Sequence, residues 1–373
     1  MLRCMYSGIS GMKVNQVKLD VIGNNIANVG TTAFKSSSAR FKDMLYQNSG
    51  EATSPTTIKG GTNAKQVGLG AQLSSINKMM GQGNALSTGR SLDICVDGDG
   101  YLMTGSGPVD YDAAATAGTG NPVDPTTKGL SAGGSLDVLY TRDGNLTLDY
   151  QGNLLTPDGR RVMGYLLESA TNGASTGGTA SGPSLISTTT GTTTVTKAQY
   201  VNADATDLTA VGVVAGVGTP KLQALMIPDK VSVPANTTVT PNIPASEQSV
   251  KKFEIGKNGV ITAILGDGSR TALGQIAMAT FKNPEGLTGV GGNLFQKSSN
   301  SGTEIIKTPL GELAATDNSK GFGDFIQGAL EGSNVDLTEQ FTDMITATRS
   351  FQAAGKMITT GDEILQTITG LMR

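Results

Sequence analysis

The chain has 373 residues, a formal net charge of −3, 51 glycines, no tryptophan and no histidine. Without histidine it cannot build a Ser-His-Asp or Cys-His nucleophile or a His-ligated metal centre. Without a basic block or basic-aromatic interleaving it is a poor nucleic-acid ligand. Carboxylate-pair, lysine or lone-cysteine chemistry would remain, and each needs a convergent acid-base site, so no catalytic, cofactor or metal residue is expected.

Met5, Met12, Leu19 and Ile26 recur at a spacing of seven. That predicts a helix over residues 1–28 with one seam buried against another helix. Asn28-Val29-Gly30 supplies a stop, with Gly30 available for the left-handed position after the last turn. The opening MLRCMYSGIS has neither an apolar core nor a small-residue cleavage site, so no cleaved signal peptide is expected. No apolar run reaches the roughly 18 residues that a membrane-spanning helix needs. Residues 31–75 are rich in Ser, Thr and Gly, with Phe34, Phe41 and Leu45 as sparse anchors. They read as a connecting segment, extended or partly hairpin.

From about residue 76 the pattern becomes short alternating runs broken by turn dipeptides. Leu92 to Val96 leads into Asp97-Gly98-Asp99-Gly100, and Asp143-Gly144, Gln151-Gly152 and Asp158-Gly159 follow. Asp-Gly and Asn-Gly supply the positive backbone angles of tight hairpins. Residues 108–135, rich in Pro and Gly, read as a long surface loop. The same style resumes at Asn258-Gly259 and Asp267-Gly268. Between the two blocks, residues 165–250 are dominated by Thr and Ala and punctuated by Pro. Short runs such as Leu222 to Ile227 predict an inserted outer β domain there; the alternative is a low-complexity loop.

The last helix is predicted to start near Ser333-Asn334-Val335-Asp336, where Ser333 with Asp336, or Asp336 with Glu339, has capping-box spacing. Its stripe is Met344, Phe351, Ile358, Leu365 and Met372, with Ala347, Ala354, Gly361 and Ile368 three residues after the first four. Residues 1–40 hold five basic side chains against one acidic, and residues 330–373 hold six acidic against three basic. Opposite signs on two seams bias partner choice and register more than stability. Glycines such as Gly23, Gly355 and Gly361 cost a helix roughly 1 kcal/mol each relative to alanine. The ends are therefore expected to be loose in the free chain and to order on assembly.

The expected fold is α+β, mainly β. The terminal helices, 1–30 with 333–373, would form a coiled-coil-like polymerisation domain. Residues 76–164 with 251–325 would form a discontinuous β domain, and 165–250 its insert. Asp97-Gly98-Asp99-Gly100 lacks the further ligands of a calcium loop, and Gly286 to Gly292 lacks the ending of a phosphate-binding loop. Both read as turns. Cys95, in an apolar run, is either a small buried hydrophobe or a reactive thiol.

Three sets of motifs carry a family resemblance. The first is Tyr6 to Met12, Leu19-Asp20-Val21-Ile22-Gly23-Asn24-Asn25-Ile26-Ala27-Asn28-Val29 and Thr31 to Lys35. The second is Leu330-Glu331-Gly332-Ser333-Asn334-Val335-Asp336-Leu337, with Phe341, Met344-Ile345, Arg349-Ser350-Phe351 and Ile358. The third lies in the β region: Asp97 to Tyr101, Thr141-Arg142-Asp143-Gly144-Asn145-Leu146 and Phe281 to Leu287. On these residues the chain resembles the flagellar axial proteins of the rod and hook family, the hook branch above all. It departs at Ala33, where the family usually has Gly, at Leu102, where an aromatic is common, and at Cys95, in a usually aliphatic strand.

The resemblance implies a hook subunit that polymerises into a curved, hollow, extracellular tube and transmits motor torque to the filament. It implies export through the flagellar type III apparatus. The implied partners are other copies of the chain, the rod, the hook cap and the hook–filament junction proteins, with no nucleic acid and no membrane insertion. Some hook proteins join neighbours through a cysteine and a lysine, which brings Cys95 into view. A rod subunit is the near alternative, and a secreted β-rich adhesin is the alternative from another class.

Overall fold

The computed structural model describes residues 2–107, 121–124, 127–131, 134, 136–169, 184–190, 193–205, 208–210, 220–233, 246–310 and 321–371. It is mainly β, with a long helix near each end of the chain. Two units emerge, Met1–Gly81 with Ser333–Arg373, and Gln82–Gly332. No helix among the described residues is long and apolar enough to cross a membrane.

In the first unit α1 spans Leu2–Ala27 and α2 spans Leu337–Leu371. Asp336 caps α2, its Oδ1 accepting from Thr338 N at 2.8 Å and from Glu339 N at 3.3 Å. Those donors have no partner inside the helix, and a carboxylate there also suits the helix dipole. At the end of α1 the left-handed position falls on Ala33, at φ +55°, and not on Gly30. Four strands follow: β1 (Ser37–Asp43), β2 (Tyr46–Gly50), β3 (Lys65–Gly68) and β4 (Ala71–Lys78). β1 pairs with β4 from Ser37↔Lys78 to Asp43↔Ala71, and β2 with β3 from Tyr46↔Gly68 to Gly50↔Lys65. Met44 N donates to Gly70 O at 2.8 Å and Leu69 N to Leu45 O at 3.2 Å, which joins the two ladders into one continuous ribbon.

In the second unit Arg161–Ser169 is the hub of the ladders. It pairs with Tyr101–Ser106, Leu208–Ala210, Lys221–Ala224 and Arg270–Ile276. Ser246–Ile255, Val260–Leu265 and Arg270–Ile276 form a meander. Gly259 (φ +83°) and Gly268 (φ +87°) turn its two corners, as expected for Asn-Gly and Asp-Gly.

One apolar cluster runs through this unit. Leu185, Leu225 and Val231, from the segment expected as an insert, share it with Ile94, Leu102, Ile276 and Phe325. Residues 170–183, 211–219 and 234–245 of that segment lie outside the described residues. So do 108–120 of the expected surface loop. The end of that loop is not on the surface: Asn121–Pro122 pairs with Lys221–Ala224, and Val123 is buried. Its apolar side chain takes a place in the interior that a Pro- and Gly-rich composition does not advertise.

Candidate assembly surface

α1 and α2 run antiparallel. Met5 lies beside Gly361, where an added β-carbon would come within 3.3 Å of Met5 Cγ. Gly8 faces Ala354 and Ile358 in the same way, and Gly355 faces Met12. Small residues opposite larger ones let the backbones approach closely. Lys18 pairs with Asp343 at 3.2 Å, so one of the opposite charges at the two ends meets its counterpart. Asn25, 1 % exposed, reaches Gln340 Oε1 at 3.0 Å near the other end of α1.

Met5, Met12, Leu19, Ile26, Met344, Ile358 and Leu365 are half-buried along this pair, whereas Phe351 is 38 % exposed. Met372 lies outside the described residues. Among the described residues, the fully buried apolar side chains of the helices are Ile22, which the N-terminal stripe leaves out, and Ala347, the first residue of the second C-terminal stripe. Leu19 plus three predicts Ile22, as Met344 plus three predicts Ala347, so the signal was a second seam position. Cys95 is fully buried in Ile94–Asp97, with its Sγ donating to Val96 O at 3.8 Å, while Cys4 is exposed. The Cys95 thiol is covered in the folded unit.

Much apolar surface remains outside the pair. Tyr6 is 65 % exposed, Ile345 63 % and Leu371 81 %, and Phe341, Met357, Ile364 and Ile368 are also exposed. Beside α1, an open groove of about 600 Å³ is lined by Tyr6, Ile9, Lys13, Val14 and Val17 together with Met44, Leu69 and Leu73 of the ribbon. Fully burying one such large side chain is favourable by about 1.5–3 kcal/mol.

The threonines of α2 do not oppose burial. Thr342, Thr348, Thr360, Thr367 and Thr369 each donate to the carbonyl one turn back, at 2.7–3.0 Å. A hydroxyl already satisfied within its own helix can be covered without losing a hydrogen bond, and only its methyl faces outward.

The motif residues named above turn out to be fasteners. Asn25 Nδ2 donates to Ser37 O at 2.8 Å and its Oδ1 accepts from Ser37 N at 2.9 Å, which pins the start of the ribbon to α1. Asn334 accepts from Ser36 N at 2.7 Å and donates to Met79 O at 2.6 Å, tying both ribbon edges to the approach to α2.

In the second unit Arg142, 3 % exposed, pairs with Glu331, 1 % exposed, at 2.8 Å, and also donates to Val96 O and Gly98 O. Gly83 N donates to the same carboxylate at 2.9 Å. Tyr101 lies under the guanidinium, 5.8 Å from ring centroid to Cζ. Burial pushes its hydroxyl up to about 12, with Arg142 acting in the other direction. Composition and periodicity do not reveal these links, because their partners lie far apart in the chain.

Residues 5–35 match the model of the flagella basal body rod protein family. Residues 326–371 match that of the flagellar basal body rod FlgEFG protein C-terminal region. The chain is 35 % identical to the flagellar basal-body rod protein FlgG of Bacillus subtilis over 373 residues, covering 100 % of both chains. This chain belongs to the flagellar rod and hook family. The flagellar hook proteins FlgE of Borreliella burgdorferi and Treponema pallidum are 29 % and 28 % identical over 477 and 474 aligned residues, again covering 100 % of both chains. The solved Helicobacter pylori flagellar hook protein FlgE2 is a remote neighbour, with TM-score 0.36 at 13 % identity over 66 % of this chain. The family is one of structural flagellar proteins, and membership implies self-polymerisation within the axial structure.

Proposed function

We propose that this chain is a subunit of the flagellar hook, exported through the flagellar type III apparatus and polymerised outside the cell into a curved, hollow tube. The observation that carries the assembly reading is the row of exposed apolar side chains on a helix whose threonine hydroxyls are already satisfied. Terminal helices with that chemistry suit a permanent inner contact between copies. The Thr- and Gly-rich residues of 165–250 suit looser outer contacts that exchange as the tube bends. The hook cap, the rod and the hook–filament junction proteins are its proposed neighbours.

A second reading, a rod subunit, is favoured by the full-length likeness to the Bacillus subtilis rod protein, since length does not separate the two. Electron microscopy of purified hook–basal bodies labelled with antibody to this chain tests the choice. Label along the curved hook is expected. Label confined to the straight rod would transfer the assignment to the rod, and no label on either would remove both.

A further inference from the structure

Lys13 and Asp20 stand seven residues apart on the exposed face of α1, and Lys356 and Glu363 stand seven apart on an exposed face of α2. None of the four takes part in an ion pair among the described residues. Laid antiparallel, the two faces bring Lys13 against Glu363 and Asp20 against Lys356. Laid parallel in the register that overlaps both pairs, both contacts join like charges. From these faces we infer that the groove side of α1 receives the C-terminal half of α2 from a second copy of this chain, antiparallel, in the register that those two charge pairs set. This rests on the assembly reading above.

Two further observations fit that register. On the face of α2 that carries the charges, Thr359 would lie between them, with Thr367 and Gly370 beyond Glu363; opposite these on α1 are Val17, then Ile9 and Tyr6 beyond Lys13. Thr359 donates to Lys356 O at 2.9 Å and Thr367 to Glu363 O at 2.8 Å, so both offer methyls to the groove. Gly370 leaves room for Tyr6, which is 65 % exposed. Donor and acceptor faces lie on different helices, so each copy gives one and receives one. Where the two faces engage different neighbours, as in a helical tube, the contact is heterologous and propagates.

The same register cannot form within one chain. Met12 lies against Gly355, so Lys13 is about 8–11 residues of helix from Glu363, roughly 12–16 Å along α2. Restoration of assembly by a charge exchange therefore reports a contact between copies.

The test measures the critical concentration for assembly of the purified full chain by sedimentation, for wild type, Lys13→Glu, Glu363→Lys and the double variant. Circular dichroism confirms helix content in each. Each single reversal is expected to raise the critical concentration roughly tenfold, and the double variant to return to within about threefold of wild type. Added salt should raise the wild-type value by screening both pairs. Singles that assemble like wild type, or a double variant no better than the singles, would overturn the register while leaving the assembly reading intact. A wild-type chain that never sediments would overturn that reading itself.

Discussion

Arg142 donates to Glu331 and to the carbonyls of Val96 and Gly98, and almost none of it meets water. One guanidinium thus joins the Thr141-Arg142-Asp143-Gly144 turn, the Asp97-Gly98-Asp99-Gly100 turn and the strand Ala329–Glu331. Desolvating both charges is costly, so the pair is better described as a device for register than as a source of net stability. Removing one partner leaves the other buried with its charge uncompensated. Arg142→Met should therefore destabilise this unit by about 3–5 kcal/mol in urea unfolding, and adding Glu331→Met should recover much of the loss. A single-variant loss under about 1 kcal/mol would show that water already reaches the pair. Ala33 is a second residue-scale case: at φ +55° it occupies a left-handed position that glycine takes without strain, and it is 1 % exposed. Packing of that methyl offsets a backbone cost of roughly 1–2 kcal/mol.

At the scale of elements, the two helices were legible because a seven-residue recurrence is local and needs no knowledge of the partner. The exact burial was less so. Gly8 and Gly361 draw the backbones together, which moves the deepest contacts to Ile22 and Ala347 and leaves Phe351 partly outside. The ribbon from Ser37 to Lys78 was harder to see, since its strands are mostly exposed on both faces and lack apolar alternation. The Arg142–Glu331 link spans 189 positions, beyond the reach of any local pattern. The helices also set a prediction. Leu365→Asp and Phe351→Asp should each abolish tube formation while the unit Gln82–Gly332 unfolds at its wild-type denaturant midpoint. Normal tubes from either variant would exclude the helix pair from the subunit contact.

For the whole molecule, the consequence of a shared core concerns what can be removed. Leu185, Ala198, Leu225, Met226, Ile227 and Val231 belong to the same cluster as Leu102, Ile261 and Ile276. Excising residues 165–250 would strip one wall from that cluster, and each large core side chain lost or exposed costs about 2–5 kcal/mol. The shortened chain is therefore expected to lose cooperative unfolding of its β unit, read by calorimetry, while α1 and α2 keep their helicity. A shortened chain with a sharp native transition would show that the segment is separable after all.

The ribbon's far end carries one more implication. Ile58 is 96 % exposed, Leu45 79 % and Tyr46 58 %, on a two-stranded element that is marginal alone in water. Since the chain contains no tryptophan, an indole substituted for Ile58 would be the sole long-wavelength emitter in the molecule. Its colour would then report, without background, whether the tip stays wet or is sealed as copies come together; a blue shift on polymerisation is the expected outcome.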